Sequence, residues 1–217
     1  MKNLVAIIPA RKADILFADK NILPLGNSNL LINKIEQLKL ASGIDAIYLS
    51  TDSDEYAAIA KSLGVFVDKR PSSLSALSSD FSEFVVYIAN KIESNHILWA
   101  PTITPFIGEL DYSSAIKTYF DSLNNGYDSL ISVKKLRRNL LDDNGPLNFS
   151  FYQKSQVFYP NIFEYVNGIT IAPRLDMLRW RYNWGKNPIK IELDALKSLD
   201  ICNYVDYKVV NAIANGK

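Results

Sequence analysis

Five apolar residues, Leu4 to Ile8, run without interruption into Pro9, and a polar stretch carrying Arg11, Lys12, Lys20 and Asn21 follows. This junction constrains the fold more than any other part of the chain. A short, unbroken run rich in branched side chains reads as a strand buried on both faces, the habit of parallel sheets covered by helices. The basic residues then fall at the carboxyl edge of that strand, which is where open α/β sheets bind ligands. Arginine presents a planar fork of donors and lysine a point charge, and both suit phosphate oxygens. No glycine lies between Ala10 and Lys20 to bring backbone N–H groups up to an anion. Taken by itself, the stretch therefore fits a solvated basic loop as well as an anion grip.

The rest of the chain alternates strand and helix. Asn27-Ser28 reads as a cap, followed by an amphipathic helix with Leu30, Leu31, Lys34, Ile35, Leu38 and Leu40 on one face, ending near Gly43. Residues 46–50 form a second strand, and Thr51 to Asp54 lead into a helix closed by Gly64. Residues 65–67 are a third strand. A serine-rich loop opens at Arg70-Pro71, a helix spans 81–92, and a fourth strand at 97–99 runs into Pro101 to Pro105. A helix near 113–123 and a strand at 127–133 complete this part. The pattern predicts an α/β fold with a mostly parallel, twisted sheet flanked by helices and joined by right-handed crossovers. After Val133 the regularity lapses. Residues from about 134 to 165 read as an arm or insertion within a single domain, with Lys134 to Arg138 basic and Asn144-Gly145-Pro146 a turn. The aromatics Phe149, Phe151 and Tyr152 suit burial against a partner subunit as well as packing on their own chain. Strands at 169–171 and 189–193 and helices at 175–182 and 204–214 close the chain.

Composition removes several classes of function. A net charge of +1 argues against a general nucleic-acid binder. One cysteine, Cys202, permits no intrachain disulfide, and one histidine, His96, permits no two-histidine site. The first apolar run is too short for a signal peptide, and no stretch reaches the ~20 apolar residues of a membrane span. A soluble, cytoplasmic protein without a membrane partner is expected.

Ordered motifs then narrow the reading. Ile8-Pro9-Ala10-Arg11 followed by Lys20-Asn21, Ser50-Thr51-Asp52, Arg70-Pro71 with Leu74 and Asp80, Thr104-Pro105, Asn167-Gly168, and Ser198 to Ile201 followed by Asp206 recur along nearly the whole chain. In that order they resemble the cytidylyltransferases that activate acidic sugars, the CMP-sialic acid and CMP-Kdo synthetase-like enzymes. The resemblance implies a nucleotide-diphospho-sugar transferase-like (Rossmann-like) domain, a homodimer built through an arm, and transfer of CMP from CTP to a sialic acid-like or Kdo-like acid with release of pyrophosphate. It implies Arg11 and Lys20 as catalytic cations on the phosphates. Lys12, Asn21, Arg70, Ser79 and Asp80 would be nucleotide contacts, and Thr102, Thr104 and Asn167 acceptor contacts. Asp200 would be a Mg²⁺ ligand. The chain departs from the family in three places. Lys12 to Asp19 replaces a glycine-rich loop, so Asp14 and Asp19 must turn away from phosphate or hold a metal. Cys202 stands where the metal motif has its second carboxylate, leaving Glu192, Asp194 or Asp206 as substitutes, with Asp206 better placed as a first-turn helix carboxylate. Ala100 replaces the glutamine before the Pro-Thr turn. A different nucleotide or acceptor, or a non-catalytic nucleotide- or partner-binding relative, remain the alternatives.

Overall fold

The computed structural model describes residues 2–13, 19–150 and 161–216. In chain order the elements are β1 (Lys2–Pro9), a 3-10 turn (Lys20–Ile22), β2 (Pro24–Leu25), β3 (Ser28–Asn29), α1 (Leu30–Leu40), β4 (Ala46–Thr51), α2 (Asp54–Ser62), β5 (Phe66–Lys69), α3 (Ser72–Ser75) and α4 (Phe81–Lys91). They continue with β6 (Ser94–Trp99), α5 (Glu109–Leu123), β7 (Ser129–Leu136), β8 (Leu141–Asp142), β9 (Gly145–Pro146), β10 (Ile162–Pro173), α6 (Arg174–Trp180), β11 (Pro188–Glu192) and α7 (Tyr204–Ala214).

Seven strands form one mixed, mostly parallel sheet in the order β11-β7-β10-β6-β1-β4-β5. β1 is central, parallel to β4 on one side and to β6 on the other. Its side chains alternate between two layers. Leu4, Ala6 and Ile8 pack with Leu31 and Ile35 of α1, Tyr56 of α2 and Tyr112 of α5. Val5 and Ile7 pack with Phe84, Val85 and Ile88 of α4 and Met177 of α6. This two-sided burial is what the unbroken apolar run encodes. Because successive strands leave β1 in opposite directions, a crevice opens at the carboxyl ends of β1 and β6, the switch point where such sheets hold ligands.

Some boundaries move, each for a physical reason. α1 is capped by Asn29, whose Oδ1 accepts from Ile32 N at 2.9 Å, because Ser28–Asn29 are drawn into a hairpin with Pro24–Leu25. Leu40, expected on the apolar face, is exposed. α5 starts at Glu109, ahead of the expected 113, where the Asp111 carboxylate accepts from Gly108 N at 3.0 Å. Lys134 and Lys135, at the start of the expected arm, belong to β7. They pair with Glu164 and Phe163 of β10, antiparallel. β11 pairs with β7 only as far as Val133, and β6 reaches β10 only over 170–173. Past those points β7 and β10 continue as a two-stranded ribbon with Lys134 opposite Glu164 in register. An antiparallel return of this kind needs no helical crossover. Of the expected arm aromatics, Phe151 and Tyr152 lie outside the described residues.

One core residue is unexpected in kind. Lys34 of α1 is fully buried, and burial, opposed by the charge of Asp111, pushes its amine down to about 7. In the unfolded chain the same amine keeps its proton to an ordinary value of 10.5. Between those values the unfolded state binds the extra proton, so raising pH favours the native state. Thermal melts of the wild type and of Lys34→Met between pH 7 and 9 should show the wild type gaining stability relative to the variant as pH rises. Parallel curves would contradict this.

Candidate functional site

Pro9, Arg11, Lys20, Asn21, Arg70, Ser79, Thr102 and Asn167 line one cavity of about 310 Å³ at the carboxyl edge of β1 and β6. That is within the range of small-molecule sites, roughly 300–1,000 Å³. Leu74, Leu77, Phe81, Phe84, Pro101 and Ile103 supply its apolar surface. Seven side chains expected from the sequence thus converge: Arg11, Lys20, Asn21, Arg70, Ser79, Thr102 and Asn167.

Each is held by an identifiable contact. Asn21, buried in the 3-10 turn, donates Nδ2 to the Arg11 carbonyl at 2.9 Å and accepts from Thr102 Oγ1 at 2.7 Å. Its amide therefore fastens the loop after β1 to the turn after β6. Arg11 donates Nη1 to the Ala76 carbonyl at 3.1 Å. Arg70, at the end of β5, donates Nε to Ser50 Oγ at 3.3 Å and Nη2 to the Ser50 carbonyl at 3.0 Å, and its guanidinium lies 3.8 Å from the centre of the Phe84 ring. Asp68 orders this group from behind, accepting from Ser50 Oγ and Tyr87 Oη, both at 2.7 Å. Burial pushes the Arg70 guanidinium down to about 10; Asp52 and Asp68 oppose the shift and the neighbouring charge of Arg11 adds to it. Among the described residues neither arginine is bridged to a carboxylate. Two adjacent cations at one cavity wall, one of them desolvated, favour an anion between them. Ser79 Oγ donates within its own turn, to Ala76 O at 2.7 Å and Leu74 O at 3.1 Å.

Four expected residues do not line the cavity. Lys12 is exposed, with its backbone N–H donated to Asp52 Oδ1 at 2.8 Å. Asp80 caps α4 through Ser82 N at 2.7 Å, and that bond holds its carboxyl below the usual range. Thr104 is buried behind the wall. Asp200 is next to Ile201, whose N–H is donated to Ile103 O at 3.0 Å, and its carboxylate feels the charge of Lys20. Burial pushes the Asp200 carboxyl up to about 6, against a hydrogen bond from Cys202 and the charge of Lys20, and its Oδ1 is buried with no hydrogen-bond partner among the described residues.

The loop carboxylates have separate fates. Asp19 accepts from Tyr56 Oη at 3.0 Å. Asp14 lies outside the described residues. Asp206 closes a capping box at α7, accepting from Cys202 N at 2.9 Å and Asn203 N at 3.1 Å. The aromatic wall of Phe81 and Phe84 leaves only a weak mark in the sequence, an i, i+3 spacing that puts both on one face of α4. The Asp68–Tyr87 support of Arg70 leaves none, because its members meet only in the folded chain.

A family model described as cytidylyltransferase matches residues 5–161. The N-acylneuraminate cytidylyltransferase of Escherichia coli is 30% identical over 99% of this chain and 52% of its own length. The 3-deoxy-manno-octulosonate cytidylyltransferase of Rickettsia bellii is 24% identical over 73% of this chain and 63% of its own length. The chain spans about half of the first of these curated relatives and less than two thirds of the second. Among solved structures, a CMP:2-keto-3-deoxy-manno-octonic acid synthetase complexed with CTP is similar with a TM-score of 0.70 at 12% identity, over 98% of both chains. A 4-diphosphocytidyl-2C-methyl-D-erythritol synthase from Anaerococcus prevotii is similar with a TM-score of 0.66 at 13% identity, over 98% of this chain and 96% of that one. At such identities these likenesses show the fold.

Proposed function

The chain belongs to the cytidylyltransferase family, and from that premise we propose that it transfers CMP from CTP to a hydroxyl of an acidic sugar, a sialic acid-like or Kdo-like 2-keto acid, releasing pyrophosphate for the synthesis of a surface glycan. The observation that carries this reading is the convergence of Arg11, Lys20 and Arg70 on one cavity at the switch point of the sheet.

In this reaction the sugar hydroxyl oxygen attacks the α-phosphorus, the bond to the β-phosphate breaks, and the hydroxyl proton passes to water. Negative charge builds on the departing pyrophosphate, so fixed cations lower the barrier more than they tighten ground-state binding. Arg11 and Lys20 supply those cations. Arg70, Ser79, Phe81 and Phe84 form the wall beside which the pyrimidine lies, and Thr102 and Asn167 face the acceptor. Asn21 acts by holding Arg11 and Thr102 in register, since both ends of its amide are engaged.

A divalent cation fits this donor set only in part. Among the described residues no three histidine, cysteine, aspartate or glutamate side chains gather as a metal cage, and Asp206 is committed to its helix cap. Asp200, with one buried and unpartnered carboxylate oxygen, is the residue that would hold Mg²⁺, an ion that takes one or two carboxylates and completes its shell with water and substrate phosphates. When bound, it would neutralise phosphate charge. The ribbon of β7 and β10 is the element through which two copies would associate as a homodimer.

Purified protein given CTP, Mg²⁺ and either N-acetylneuraminate or 3-deoxy-manno-octulosonate should release pyrophosphate, and CTP should raise its melting temperature more than UTP, GTP or ATP. Absence of pyrophosphate with both acids, or a shift with a purine nucleotide in place of CTP, would overturn the reading.

A further inference from the structure

We infer that Lys34, a lysine enclosed in the core of α1, is a positioning residue that fixes the acceptor-side wall of the cavity. The inference rests on the reaction proposed above. Its basis is a buried polar cluster that the sheet architecture does not require. Lys34 Nζ donates to the Thr104 carbonyl at 3.0 Å and to Tyr112 Oη at 2.7 Å. Tyr112 Oη in turn donates to the Gly168 carbonyl at 3.5 Å. One amine thus ties α1 to α5 and to two backbone segments, and each segment contributes to the cavity. The first carries Thr102 and Ile103, the second Asn167.

The two segments are also in close contact with each other. A Cβ at Gly168 would stand 2.3 Å from Ile107 Cδ1 and 3.1 Å from Thr104 Oγ1, so the glycine permits the approach and the lysine holds it. The neighbours of Lys34 on α1 reinforce the grip. Asn33 Nδ2 and Gln37 Nε2 donate to the Pro105 carbonyl at 3.0 and 2.6 Å. Three consecutive-face side chains of α1 therefore hold the turn after β6.

The chemistry of the pocket around Nζ is economical. It offers two acceptors, Thr104 O and Tyr112 Oη, which satisfy both N–H groups of a neutral amine. Burial favours the same form. An apolar residue of equal length would fill the volume but leave the Thr104 carbonyl without this donor, and the turn would lose its fixed position. The guanidinium groups of Arg11 and Arg70 rest on the Ala76 carbonyl and on Ser50, and the link from this turn through Asn21 reaches Arg11 at its backbone carbonyl, not at its charge. Loss of the Lys34 tether should therefore act on acceptor binding and leave the nucleotide side in place.

The test is steady-state kinetics of the wild type, Lys34→Met and Tyr112→Phe with CTP and, as acceptor probes, N-acetylneuraminate and 3-deoxy-manno-octulosonate. The expected result is a rise of ~10-fold in the acceptor KM for Lys34→Met and a smaller rise for Tyr112→Phe, with the KM for CTP within ~2-fold of wild type. Tyr112→Phe keeps the ring and carries the test by itself if Lys34→Met does not fold. Equal movement of both KM values, or movement of neither, would overturn the positioning role while leaving the proposed reaction standing. Wild-type protein inactive with both acids would overturn the reaction, and the role with it.

Discussion

Arg11→Ala should lower turnover of CTP by ~10²–10³-fold, the loss typical when a group aimed at developing charge is removed from an active site, while leaving the fold intact. The residue is only partly buried, and its one side-chain hydrogen bond among the described residues is to the Ala76 carbonyl. It therefore contributes little to stability. Its charge faces a site where Arg70 has already been desolvated, so an anion placed there is stabilised more than it would be in open water. The kinetic pattern matters as much as its size. A group acting on the leaving pyrophosphate lowers kcat, whereas one that merely tethers CTP raises KM. Pyrophosphate-release kinetics on the variant, with circular dichroism to check folding, measure both. A fall of less than ~3-fold in kcat would remove Arg11 from the reaction.

The second large effect concerns stability. Gly185→Ala should destabilise the protein by about 2–4 kcal/mol, because the new methyl group enters an occupied space. An ideal Cβ there would lie 2.5 Å from Asp128 Cγ and 2.5 and 2.6 Å from its two carboxylate oxygens. That carboxylate cannot simply swing aside. It accepts from Ser129 Oγ at 2.6 Å and from Asn187 N at 2.9 Å, while Gly185 N itself donates to Ser129 Oγ at 3.0 Å. Displacing Asp128 breaks the knot that brings β11 alongside β7, where Pro188 pairs with Ser129. For a chain of this length each kcal/mol lowers the melting temperature by roughly 2–4 °C, so a fall of roughly 5–15 °C is expected in a thermal melt. An unchanged melting temperature would show that Asp128 relaxes at no cost.

The central strands were legible because their chemistry is extreme. Leu4 to Ile8 and Ile97 to Trp99 are buried on both sides, and nothing but a covered sheet accepts such runs. The ribbon was not legible. Lys134, Lys135, Glu164 and Phe163 form a ladder that is partly exposed on both faces, so no period-2 hydrophobic signal exists to announce it, and pairing across strands leaves no trace in either strand read singly. The candidate site was legible to the extent that motifs preserve order: Arg11, Lys20 and Asn21 of the first stretch, Arg70, and Asn167 come from three separate parts of the chain and meet at one cavity. Asp80 was read by its place beside Ser79, but a carboxylate that precedes a helix is claimed by the helix terminus first. Lys34 was visible in the sequence as a cation among Leu30, Leu31, Ile35 and Leu38, yet helix periodicity could say only that it faced inward, not that a carbonyl and a phenol awaited it there.

The Asn21 amide has a consequence for how such a site can diverge. By joining the Arg11 carbonyl to Thr102, it closes the neck of the excursion between Arg11 and Lys20 and anchors that neck to the centre of the sheet. Whatever is written inside the excursion, including the exchange of glycines for bulkier residues, leaves its two ends where they were. Substitutions between those two ends are therefore expected to leave Arg11 at the same address on the cavity wall.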